Sequence, residues 1–221
     1  MSNSIQECQR CGTCCRKGPP ALHIQDKELY LSGVLDKMHL ITLRKGEYVF
    51  DNIQNRIEQL PEEMIRLKTR EGASPCLFLD ESTNNCNIYS DRPAECRAMK
   101  CWDTEGIINT YAGYRLKRKD LISADSALWE IILEHENSCS VQDLQEWVQE
   151  FKNEEREEAL TQLSGIIDTD LRIRNFLQER TGADTASMEF VLGRPLDKLL
   201  PGLGLRVEFT EGKYRFQKIG V

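Results

Sequence analysis

"ECQRCGTCCRKGPP", residues 7–20, puts four cysteines into eight positions: Cys8, Cys11, Cys14 and Cys15. Five more follow, at Cys76, Cys86, Cys96, Cys101 and Cys139. Nine is odd, so full internal pairing is excluded. A bond between the adjacent Cys14 and Cys15 would be strained, although both can ligate metal. The two-residue gaps of Cys8-x-x-Cys11-x-x-Cys14 let a short loop curl several thiolates around one centre, with Gly12 supplying the tight backbone. Metal ligation is therefore the leading reading. Burial as small apolar side chains suits the isolated Cys139 and not the N-terminal cluster.

The chain opens MSNSIQECQR, without an apolar leader, and no later run of about 20 apolar residues could span a membrane. The expectation is a cytoplasmic protein with no membrane partner, in a compartment that keeps thiols reduced. A content of 40% apolar and 29% charged residues reads as globular. The net charge of −7 argues against nucleic acid as a partner. The one basic knot, Arg115, Lys117, Arg118 and Lys119, and the acidic run EFKNEEREE (150–158) both read as solvated faces.

Two regions are expected: a cysteine-cluster metal-binding domain over 1–105, and a helical region with a C-terminal hairpin over 106–221. In the first, Asp26 to Asp36 suits a helix capped by Asp26. HLITLRKGEYVF (39–50) favours short strands around Lys45–Gly46, and CLFLDESTNNCNIY (76–89) reads as a hairpin with a polar tip. SDRPAEC then starts a helix, with Ser90 or Asp91 as cap and Pro93 in its first turn. In the second region, Leu121, Ala124, Leu128, Ile131 and Ile132 keep helical spacing over 118–136. Ser140 opens a helix with stripe Val141, Leu144, Val148 and Phe151. A third helix spans about 154–180 through Leu160, Leu163, Ile167 and Leu171. RVEFTEGKYRFQKI pairs as a hairpin around Glu211–Gly212, with Val207 opposite Phe216, Phe209 opposite Tyr214 and Glu208 opposite Arg215. The fold class is α+β: a small metal-organised cysteine domain with short strands, then a mainly helical half ending in a β-hairpin.

Bacterial ferredoxins hold iron–sulfur clusters on C-x-x-C-x-x-C runs, with a further ligand from elsewhere in the chain. One zinc is satisfied by four ligands, so eight or nine sulfurs suit a multinuclear centre or two centres. In a regular hairpin Cys76 and Cys86 would sit about 13 Å apart, at about 3.3 Å per residue. On one helix Cys96 and Cys101 would diverge by roughly 140°, at about 100° per residue. The partition of ligands stays open. C-x-x-x-C-x-x-C, the usual radical-SAM spacing, is absent, and no βαβ context supports a thioredoxin-like motif.

C-x2-C-x2-C-C at residues 8–15, "PCLFLD" and "CNIYSDRPAECR" together resemble the YkgJ-type cysteine-cluster proteins. That family is described as a zinc- or iron-chelating domain and as Fe–S oxidoreductases. The resemblance covers residues 8 to about 101. It implies a metal and cofactor set of Cys8, Cys11, Cys14, Cys15, Cys76, Cys86 and Cys96, with Cys101 or else Cys139 as the eighth. It also implies an iron–sulfur cluster of the 4Fe-4S type, with zinc as the alternative. Three functions follow as expectations: electron transfer with a redox protein partner, a zinc-stabilised interaction module, or a group-transfer enzyme with a structural cluster. A flagellin lysine methylase shares the signature, but no catalytic residue carries over. Arg92 and Arg97 flank the motif and could offset the charge of a thiolate-bound cluster or pair with Asp91 and Glu95. His135, four residues before Cys139, could join a zinc site and more simply packs at a helix end. His23 and His39 have no ligand spacing.

Overall fold

A computed structural model describes residues 7–70 and 74–220; the opening six residues, read above for a leader, lie outside them. The elements run α1 (Thr13–Lys17), α2 (Lys27–Leu31), β1 (Leu40–Leu43), β2 (Tyr48–Asp51), β3 (Arg56–Gln59), β4 (Met64–Leu67), β5 (Leu79–Asp80) and β6 (Asn85–Cys86). Then follow α3 (Ala94–Ala98), α4 (Glu105–Tyr111), α5 (Arg118–Leu121), α6 (Ala127–Ser138), α7 (Val141–Asn153), α8 (Glu157–Thr181) and α9 (Thr185–Leu192). The hairpin β7 (Leu205–Thr210) and β8 (Lys213–Lys218) ends the chain. The class is α+β, with every sheet among the described residues two-stranded.

The chain forms two compact units, and each is interrupted in sequence. The first comprises residues 1–42 and 64–121, the second 43–63 and 122–221. The segment carrying the β2–β3 hairpin thus belongs with the helices. In the first unit, β1 pairs with β4 rather than with β2 across Lys45–Gly46, so 39–50 spans two sheets instead of one hairpin. The Leu22 N–H donates to Ile65 and the Ile65 N–H to Leu116, tying three segments over a core of Leu22, Leu35, Leu40, Ile65, Leu67, Leu79 and Leu116. The helix expected over 26–36 is shorter, stopping at Ser32. Of the basic knot expected on the surface, Lys117 and Arg118 are buried and only Lys119 is exposed.

In the second unit the 118–136 pattern breaks. Ser126 caps α6 afresh by accepting from the Trp129 N–H at 3.1 Å, so α5 and α6 are separate helices. Ser140 caps α7 through the Asp143 N–H, and Val141, Leu144, Val148 and Phe151 are all buried as their spacing requires. In α8 the buried stripe is Ala159, Leu163 and Ile167, then Asp170 and Arg174, then Leu177, while Leu171 is only partly covered. The inward face of α8 becomes ionic halfway along. The C-terminal hairpin has the expected register, Val207↔Phe216, Glu208↔Arg215 and Phe209↔Tyr214. Its turn uses positive φ at Glu211 and Gly212 (54° and 74°).

Candidate metal centre

Gly12 has φ of 73°, and its carbonyl accepts the Arg16 N–H at 3.0 Å, so the chain turns sharply from Cys11 into α1. That positive φ favours glycine, and a Cβ there would also press on Leu79 Cδ1 at 3.2 Å. On α1, the Cys14 and Cys15 sulfurs are 4.0 Å apart. The Cys76 N–H donates to the Cys15 carbonyl at 2.9 Å, which fastens the second cysteine segment to the first.

Strands β5 and β6 are only two residues each, so Cys76 precedes the ladder instead of extending it. Its carbonyl accepts the Leu79 N–H at 3.0 Å, folding the chain back, while Cys86 pairs with Leu79. Cys76 therefore feels the charge of Cys86; the extended hairpin expected to hold them apart does not form. Cys96 lies within α3, which ends at Ala98. Cys101 falls beyond that end, exposed in a turn.

Helix α3 is braced from the far side of the unit. Neither Ser90 nor Asp91 caps it; buried Asp26 accepts the Ala94 N–H at 2.8 Å and pairs with Arg97 at 3.6 Å. Glu95 accepts the Ala21 N–H at 3.0 Å and meets His23 Nε2 at 3.0 Å. His39 stacks against Phe78 with ring centroids 4.9 Å apart. His23 and His39 are thus framework residues. Sequence reading missed Asp26, His23 and Glu95 as supports, since 68 or more residues separate Asp26 and His23 from their partners on α3.

The sulfurs of Cys14, Cys15, Cys76, Cys86 and Cys96 interact electrostatically, and Cys11 senses Cys14. The hydrogen bond with Cys15 holds Cys14 down to about 6, with help from the Arg92 guanidinium. Cys15 is pushed up by that same bond, by burial and by neighbouring Cys14, Cys96 and Cys76. Burial first, then the other sulfurs, raises Cys76 and Cys96. The Thr13 hydroxyl, 3.2 Å away, lowers Cys11. Several thiolates in this space repel one another unless a cation joins them. Arg92 faces Cys14 and Arg66 faces Cys76 with charge of the opposite sign. Arg92 and Arg10 also sandwich the Tyr89 ring, at 3.7 and 4.0 Å from its centroid. The first unit holds 15 Lys/Arg against 12 Asp/Glu, net +3, whereas the second holds 14 against 24, net −10. The acidic whole contains a basic cysteine unit.

Cys8 is exposed ahead of α1, and Cys139 is fully buried in the core of the second unit. Ligand atoms of His135, Cys139 and Asp170 lie within 4.8 Å of one another. Asp170, however, is already engaged on both oxygens. His135 Nε2 meets Oδ1 at 2.6 Å, Arg174 Nε reaches both oxygens at 3.0 Å, and the Leu196 N–H reaches Oδ2 at 3.1 Å. Burial also pushes the Cys139 thiol up to about 12. Arg174 already pairs with the carboxylate, so Asp170 and Arg174 form a buried ion pair with His135 hydrogen-bonded to it and Cys139 alongside.

The profile of one family, "CxxCxxCC: Putative zinc- or iron-chelating domain", matches residues 7–158, more than two thirds of the chain. No curated protein and no solved structure matches. The match runs from the first cysteines through α7, beyond the cysteine segments themselves. With six sulfurs gathered on one unit and the family profile laid over them, the chain belongs to the CxxCxxCC family of zinc- or iron-chelating cysteine domains.

Proposed function

We propose that the cysteine constellation holds an iron–sulfur centre, and that the chain carries electrons or assists a redox reaction of a protein partner in the cytoplasm. The observation that carries the reading is that Cys11, Cys14, Cys15, Cys76, Cys86 and Cys96 lie on one unit within range of neighbouring sulfurs' charge, with the Cys14 and Cys15 sulfurs 4.0 Å apart. Six exceed the four that close a single zinc. Their spacing over 8–14 is also that of cluster-binding runs. Cys8 extends the set on the exposed side. A bound cluster would supply one-electron chemistry; the chain's own part is to hold the thiolates and offset their charge with Arg92 and Arg66. No helix among the described residues is long and apolar enough to cross a membrane.

Zinc has one observation in its favour. Cys14 and Cys15 sulfurs 4.0 Å apart are close to the edge of about 3.8 Å in a tetrahedron with Zn–S of about 2.3 Å. Anaerobic, iron-replete expression followed by metal and acid-labile sulfide analysis decides between the two. Iron with matching sulfide supports the cluster; zinc alone, without sulfide, replaces it with a structural module.

Either metal should organise the cysteine segments more than the rest. Residues 8–20 and 76–103 contribute few buried apolar side chains, Leu79 and Ala94 among them, against an ordering cost of about 1–2 kcal/mol per residue. The first unit nonetheless has its own core in Leu22, Leu40, Ile65 and Leu116. Chelation is therefore expected to open protease sites within 8–20 and 76–103, leaving 22–67 and the helices after 127 resistant. Fragment masses from limited proteolysis give the answer. Unchanged resistance across the cysteine segments would mean that the metal enters a preformed scaffold.

A further inference from the structure

The β2–β3 hairpin of the second unit presents an uncovered apolar face. In its register Tyr48 lies opposite Gln59 and Phe50 opposite Ile57. Directly paired residues share a face and alternate residues return to it, so these four side chains form one surface. Tyr48 is 50% exposed, Phe50 54% and Ile57 69%. The opposite face turns Asp51 inward, where its carboxylate accepts from the Ile53 and Gln54 N–H groups at 2.7 Å. A two-stranded hairpin is marginal in water by itself, and this one leaves its larger apolar side open.

That face is continuous with a groove. Gln59 Nε2 donates to Gln145 Oε1 on α7 at 2.7 Å, and Gln145 Nε2 donates to the Gly46 carbonyl at 2.8 Å. The hairpin base and α7 thereby border an open groove of about 1380 Å³, larger than the roughly 300–1,000 Å³ of small-molecule pockets. Its α7 wall carries Asp143, Glu146 and Glu150; Glu136 also lines it but is held by Arg44, and Lys45 is the cation among the lining residues. The hairpin side of the groove is Lys45, Gly46, Gln59, Leu60 and Pro61, and Gln59 joins it to the apolar face of Tyr48, Phe50 and Ile57. The whole unit is net −10.

We propose that the hairpin face and the groove adjoining it together dock an amphipathic, basic protein segment, its apolar side on Tyr48, Phe50 and Ile57 and its Lys/Arg side toward the α7 carboxylates. The apolar face supplies contact area, while the excess of carboxylates selects the sign of the partner and speeds encounter. A second copy meeting this groove through its own groove is a poor occupant, because both surfaces carry the same acidic side chains. The metal plays no part, since every residue named lies in the second unit.

The probe is a peptide of about 14 residues, roughly 21 Å as a helix at about 1.5 Å per residue, with Leu and Lys on opposite sides. It is titrated calorimetrically into the full-length, metal-loaded chain at about 0.15 M salt, where the Debye length is about 8 Å. The Lys peptide should bind and its Glu-for-Lys counterpart should not. Ile57→Asp should weaken binding about tenfold, the effect of losing one well-placed anchor. Glu146→Lys with Glu150→Lys should weaken it similarly without touching the hairpin, and Glu208→Lys on β7 should leave it unchanged. Melting curves establish that the variants are folded. Three results overturn the proposal: equal binding of both peptides, binding indifferent to Ile57→Asp and to the α7 pair, or a wild-type dimer in sedimentation that Ile57→Asp dissolves. The last would make the occupant a second copy.

Discussion

Asp170→Ala is expected to lower unfolding stability by roughly 3–5 kcal/mol, the cost of breaking a buried ion pair by removing one partner. The carboxylate is 1% exposed and Arg174 is 6% exposed, so the guanidinium left behind cannot reach water without distorting α8. The loss spreads further, because Asp170 also holds His135 Nε2 and the Leu196 N–H. Arg174 would keep only its contact with the Gly193 carbonyl at 3.1 Å. Urea denaturation followed by circular dichroism measures the effect as a shift in midpoint at constant slope. Asp168→Ala, one helical position away from the buried stripe, removes an exposed pair with Arg172 and should change little. Equal losses at the two positions would sink the account.

The same network sets the acid limit of the second unit. Burial alone would raise the Asp170 carboxyl, but hydrogen bonds from His135 and Arg174 and the guanidinium charge outweigh it and hold the group below its ordinary value. A depressed carboxyl contributes stability above its unfolded value near 4, and that contribution is lost as pH falls toward the folded value. His135 acts earlier on the way down. Burial lowers its pKa, so below about 6.5 the unfolded chain takes up a proton that the folded chain resists. Both signs agree: stability should decline with acid, beginning near 6.5 and steepening below about 4.

Much of the fold was legible because local chemistry decides it. The Ser140 cap, the α7 stripe and the β7–β8 register follow from periodicity and turn residues within a few positions of each other. The errors share one cause. Within 39–50, β1 finds its partner in β4 more than twenty residues on, leaving β2 to pair with β3 across residues 52–55, and α3 takes its cap from Asp26 instead of from Ser90 or Asp91; no pattern within 39–50 or 90–94 encodes such choices. Asp170 and Arg174 sit where α8 should have continued apolar, and an i, i+4 acid–base pair reads from sequence as a surface bridge. At the metal centre, spacing identified the sulfurs. It could not find the fold-back at Cys76, which depends on one backbone hydrogen bond, nor the basic character of a unit that is discontinuous in sequence.

The largest effect on metal should come from Cys96→Ser. Cys96 sits on a five-residue helix whose position is dictated by Asp26 at the Ala94 N–H and by Glu95 against Ala21 and His23. The helix cannot slide to offer another donor, and a serine oxygen is a shorter and harder ligand than a thiolate. Substituting the outer partners of a metal ligand already costs about 10–100-fold in affinity. Losing the ligand should therefore cost at least about 100-fold, and Glu95→Gln about tenfold through the same helix. Removing the Cys96 sulfur also eases the repulsion that helps raise Cys15, so that thiol should become more acidic in the metal-free variant. Cys139→Ser belongs to another regime. Its sulfur is fully buried beside Arg44, which donates to the Cys139 carbonyl at 2.7 Å, and its replacement should lower stability while leaving metal per chain unchanged. Competition with a chelator of known affinity, run on all three variants beside the wild type, separates these cases. A Cys96→Ser protein that keeps its full metal complement would remove α3 from the centre. Metal lost equally from Cys139→Ser would mean that the His135, Cys139 and Asp170 group, not only the cysteine unit, binds metal.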